Sequence, residues 1–136
     1  MPTPQEEALA LAHKALPFAI EMINKQGGFL PYGVALMQDG KTEMFGGQGS
    51  NSNEIVALIK GAFKAKAREG TVRATALALD SMYTPEGGVR GDAIAIQICH
   101  AEDGYGVTYI WPYVKVGGKA QLSTGLPQRS PNDIFV

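Results

Sequence analysis

"TVRATALALDSM" (Thr71 to Met82) and "GDAIAIQICH" (Gly91 to His100) alternate apolar and polar or small and bulky residues with a period of two. That period belongs to strands, where successive side chains point to opposite faces. The turn-rich "TPEGGVR" between them predicts a β-hairpin, and "GVTYIWPYVKV" (Gly106 to Val116) continues the pattern after "AEDGYG". Three consecutive ribbons therefore form an antiparallel meander.

Upstream the period changes. Between Gln5 and Lys25 the apolar residues Leu9, Ala12, Leu16, Ala19 and Ile23 recur at steps of three and four, which predicts an amphipathic helix. Pro17 lies inside it and removes the N–H that would bond His13, so a kink or break is expected there. "QGG" at Gln26 to Gly28 ends the helix. A strand over Phe29 to Met37, the Asp-Gly turn "QDGK" and a strand over Thr42 to Phe45 make a second hairpin. Asn51 with Glu54 resembles a capping box for a second helix, whose predicted stripe is Ile55, Leu58, Ile59, Ala62 and Phe63 and which Gly70 closes.

The order helix, two strands, helix, three strands specifies an α+β domain: an antiparallel sheet of about five strands with both helices packed on one face. The whole chain, residues 1–136, reads as a single domain. Its tail from 117 to 136 is irregular with room for a short edge strand. The element order resembles the profilin-like and roadblock-like topology without the final helix, which implies fold alone. In that order the first and fifth strands are neighbours.

Composition excludes some functions. Apolar residues make up 45% and charged residues 18%, and the net charge is −1, so nucleic acid is not an expected partner. One cysteine, Cys99, leaves neither a disulfide nor a thiolate metal cage, and no metal or cofactor is expected. The amino terminus carries acidic residues where an export signal needs basic ones, and His13, Lys14 and Glu21 interrupt its apolar run. A cytoplasmic protein that does not span a membrane is the expectation.

"FLPYGVAL" and "IWPYV" each place Pro-Tyr inside a predicted strand. Proline cannot donate to a ladder, so both positions point to sheet ends, edges or bulges. With the first and fifth strands side by side, Tyr32, Trp111 and Tyr113 would gather at one sheet end, either capping the core or rimming a cleft for a small apolar or aromatic ligand.

Catalytic candidates are few. His100 ends the fourth strand, with Asp103 in the following turn and Asp80 near the preceding hairpin. Cys99 and His100 are adjacent on a strand and so point apart, which argues against a dyad between them. The reading is a non-enzymatic domain that binds a small molecule or a protein as a homodimer. The alternative is a small hydrolase or isomerase using His100 with Asp103 or Asp80. Ala74, Ala76 and Ala78, placed beside Ala93, Ala95 and Gln97, give the meander a flat side suited to a partner chain; the other route to a homodimer is edge-to-edge pairing of the third strand with its copy. The bulky side with Leu77, Leu79 and the isoleucines is then the one for the helices. Lys60, Lys64 and Arg68 form a basic stripe on the second helix, read as its solvated face.

"PYGVAL", "KAKAREGTVRATALALD", "GDAIAIQICHAEDG" and "WPYVKV", in that order, resemble a small uncharacterised bacterial single-domain family. The resemblance covers about three-quarters of the chain. It implies the α+β fold and a bacterial cytoplasmic setting, and no activity. "DSMYTPEGGVRGD" departs from it.

Overall fold

A computed structural model describes residues 3–46, 49, 51–84 and 87–135, with the side chain of Asp103 outside that description. Among the described residues the chain forms two α-helices and an open antiparallel sheet of seven strands, an α+β fold. The elements are α1 (Pro4–Gln26), β1 (Tyr32–Met37), β2 (Thr42–Phe45), α2 (Ser52–Glu69), β3 (Val72–Tyr83), β4 (Gly91–His100), β5 (Gly106–Val116), β6 (Lys119–Leu122) and β7 (Leu126–Arg129). None of the described helices is long and apolar enough to cross a membrane.

Both helices begin and end where local chemistry dictates. Thr3 caps α1, its hydroxyl accepting from the Glu6 N–H while the Glu6 carboxylate accepts from the Thr3 N–H. Gly27 stops the helix at φ 86°, a conformation glycine adopts without strain. The Asn51 side chain accepts from Glu54 N–H at 3.0 Å and opens α2. Of the kink or break expected at Pro17, the break is not made: α1 runs through as one element, with Pro17 on its exposed side.

The sheet order is β2-β1-β3-β4-β5-β6, and β7 pairs with the first half of β5 on the same edge as β6. This corrects three expectations. The sheet has seven strands instead of about five, because the tail contributes β6 and β7. The first strand lies beside β3, with β3 and β4 separating it from β5. The helices lie on opposite faces: α1 covers the face of Val34, Ala76, Ile96 and Tyr109, and α2 covers the face of Ala35 and Leu77.

The reason is the β3–β4 register. Ala74, Ala76 and Ala78 stand opposite His100, Ile98 and Ile96, so small and large residues share one face. The expected pairing of alanine beside alanine is not formed. α1 presents its own small side, Ala8, Ala12, Ala15 and Ala19, to this face, so it packs on β3 and β4 alike, with the isoleucines of β4 in the same core. Each buried isoleucine there contributes about 2 kcal/mol of transfer free energy. The stripes shift accordingly: Leu9 of α1 and Leu58 of α2 are exposed, and Ala8, Leu11 and Ala15 are buried.

The two prolines obey the ladder. Pro31 immediately precedes β1. The carbonyl of Pro112 accepts from Ser123 N–H at 2.7 Å on the outer edge of β5. In a strand a residue's N–H and C=O point the same way, so the missing N–H also faces outward. It falls between the stretch paired with β7, which ends at Ile110, and the stretch paired with β6, which starts at Tyr113. The β4 ladder loses nothing.

Candidate functional site

Alternation predicts that Val72 and Ala74 share a face, yet Val72 is buried with α2 and Ala74 with α1. The cause is a bulge: Leu36 pairs with Ala74 and Met37 with Val72, leaving Arg73 as an extra residue in β3. The bulge brings Arg73 to the α1 side, where its Nη2 meets Glu7 Oε2 at 2.9 Å. The other oxygen, Glu7 Oε1, lies 2.9 Å from His100 Nε2. His100 Nδ1 accepts from the Glu102 N–H at 3.0 Å, so the ring is the tautomer protonated on Nε2, and that proton is donated to Glu7. Arg73, Glu7 and His100 thus form a chain running inward from the surface.

A cavity of about 330 Å³ sits above this chain, lined by Ala10, Leu11 and Leu36 together with Glu6, Glu7, Lys14 and Arg73. A second cavity, about 170 Å³, is lined by Ala15, Phe18, Tyr32, Val34 and Met44. The two share Lys14 and Thr42 and form one groove between α1 and the β1–β2 hairpin. Its charges are not equivalent. Glu7 is held by Arg73 and His100, and Glu6 is occupied in the helix cap. Lys14 has no ion-pair partner among the described residues, so the middle of the groove carries a spare positive charge above an apolar floor. A wider depression of about 540 Å³ at the hairpin turn is lined largely by exposed residues such as Asp39, Lys41 and Glu43 and has no comparable floor.

The residues singled out from sequence fall in different places. His100 is 1% exposed and does not line the cavity; Glu7 stands in between. Asp80 lies six residues along the β3–β4 ladder from the His100 pair, on the order of 20 Å away. There it accepts from the Tyr113 hydroxyl at 3.1 Å and from Phe29 N–H at 3.4 Å. The side chain of Asp103 is outside the described residues. No group of three or more metal-ligating side chains occurs among the described residues.

Tyr32, Trp111 and Tyr113 all join the core beneath α1. Tyr32 donates to the Ala15 carbonyl and forms part of the groove wall, and burial pushes its hydroxyl up to about 12. Tyr113 is raised by burial and then by the Asp80 carboxylate. Trp111 is enclosed: Tyr109 and His13 pack their rings at 5.9 and 6.0 Å, and Gly125 lies against the indole Nε1. Only the first of the three reaches the groove.

Glu7, Arg73 and Lys14 were not visible as a site. Glu7 reads as an ordinary first-turn acid, Lys14 as the solvated side of α1, and a bulge leaves no mark in the alternation around Arg73. Compared with known proteins, the chain matches no family model, no curated protein and no solved structure.

Proposed function

We propose that this protein is a non-enzymatic binding domain whose ligand is a small molecule with an apolar or aromatic body and an anionic end. The observation that carries the reading is the groove of two joined cavities with Lys14, which has no ion-pair partner among the described residues, between them. Leu11, Leu36, Phe18 and Met44 supply the apolar contacts, and Lys14 supplies the charge that orients the ligand. Arg73, already paired with Glu7, lines the larger of the two cavities. His100 supports Glu7 from beneath and donates its only ring proton to it, which favours binding over proton-transfer chemistry.

The test is an NMR titration with 2-naphthoate and with its neutral counterpart 2-naphthylmethanol. Naphthoate should shift the amides of Leu11, Lys14, Leu36 and Thr42 saturably, and Lys14→Glu should weaken it about tenfold, a loss on the order of 1.4 kcal/mol. Equal affinity for the neutral compound, or shifts that avoid these amides, would overturn the reading.

A further inference from the structure

α2 packs mainly on β1 and β3. Its buried residues Ile55, Ile59 and Phe63 pack with Ala35, Val72 and Leu77, and Ile134 of the tail covers Cys99 at one end of β4. Among the described residues, no helix lies over the rest of that sheet face, across the far half of β3, the middle of β4 and β5, and β7. The pairings Leu79↔Ala95, Ala95↔Ile110, Gln97↔Thr108 and Ile110↔Leu126 place these side chains on it together. Val114, 62% exposed, and Gln121 extend it along the β5–β6 ladder.

This face mixes apolar and neutral polar residues and, among the described residues, carries no charge from Leu79 across to Leu126 and Gln128, in a chain where 18% of residues are charged. Four strands at about 4.8 Å and some six residues at about 3.3 Å give a patch roughly 20 Å on a side, about 400 Å² in projection. As the uncharged centre of an interface, ringed by the surrounding residues, that is about half of the ~800 Å² that each partner contributes to a standard contact.

We infer that two copies of this chain pack these faces together as a two-fold dimer, sheet against sheet. A two-fold contact sets each surface against itself, so any charge would meet a like charge near the axis; this face carries none. A different protein would be selected chiefly by complementary charge, and the patch offers no charge to select with. Short side chains such as Ala95 and Thr108 leave hollows beside Leu79, Ile110 and Leu126, which suits interlocking at the roughly 10 Å spacing of packed sheets. The groove beside α1 lies on the opposite face and stays open in such a dimer.

Sedimentation equilibrium of the full chain at tens of micromolar tests this. The native protein should run at twice the chain mass, and Ile110→Lys and Thr108→Lys should each run at the chain mass with an unchanged circular dichroism spectrum. Thr108 is polar and half-buried, so its variant keeps the test decisive if Ile110→Lys does not fold. A native protein that stays monomeric, or a dimer that survives folded variants, overturns the inference. The naphthoate titration is independent of either result.

Discussion

Glu7 and His100 are 93 positions apart in the chain, yet Oε1 of one meets Nε2 of the other at 2.9 Å, joining the first turn of α1 to the end of β4. The same carboxylate holds Arg73. Glu7→Gln keeps the shape and removes the charge, leaving Arg73 without its counterion. Because the Arg73 side chain is about a third exposed, the cost should be about 2 kcal/mol instead of the larger loss at a fully buried pair. Urea unfolding of Glu7→Gln, Arg73→Met and the double variant gives the coupling. A double variant as unstable as the two single losses combined would show that the pair is not coupled.

Gly33 allows α2 to sit on β1. A Cβ at that position would stand 2.9 Å from Ile59 Cγ2 and would also collide with the Phe63 ring. Gly33→Ala should therefore cost about 1–3 kcal/mol through overpacking, despite alanine's better intrinsic conformational entropy. Thermal denaturation measures it, and a neutral or raised Tm would contradict the close approach.

Alkaline stability should depend on Tyr32. Its folded value of about 12 lies above the ordinary value of 10.0, so the folded chain holds the proton more tightly. The stabilisation is complete below about pH 10 and is lost, at about 1.4 kcal/mol per pH unit, as pH rises toward 12. At pH 8, Tyr32→Phe should be less stable than the native chain by about 1 kcal/mol, the worth of its hydrogen bond to Ala15. Near pH 12 the order should reverse. Parallel stability curves for the two proteins from pH 8 to 12 would refute this.

Asn132 fastens the tail. Its Nδ2 donates to the carbonyls of His100 and Tyr105, and its Oδ1 accepts from the N–H groups of Ile134 and Phe135. Cys99 is buried beside Ile134 and Asp133, and burial raises its thiol. Asn132→Ala should free the tail, cost about 1–3 kcal/mol and speed thiol labelling of Cys99 at least tenfold. Unchanged labelling with unchanged stability would mean that other contacts hold the tail.

Much of this architecture was legible in particular stretches. Gly91–His100, Gly106–Val116 and Thr42–Phe45 have the boundaries their period of two predicts, and Gly27 and Gly70 end the helices as expected. The layering was not legible. Ala74, Ala76 and Ala78 look like a bare side when β3 is read alone, and only the facing isoleucines of β4 and the alanine side of α1 turn that side into core. β6 and β7 are four residues each and mostly exposed, too short for periodicity to mark. At the candidate site, Tyr32 was identified and its neighbours were not, because the groove brings together α1, β1, β2 and a bulged residue of β3 that no local pattern connects.

The β1–β3 pairing sets the order of assembly. The other ladders join strands that are neighbours in sequence or nearly so, whereas Tyr32 must find Ala78 after the intervening hairpin and α2 have been made. Closing so long a loop is slow, and its entropy is recovered only when the contact is complete. On a ribosome the amino-terminal hairpin therefore waits for β3 to emerge. Under mild denaturant, amide exchange should open that seam first, while the β3–β4–β5 ribbon stays protected longest.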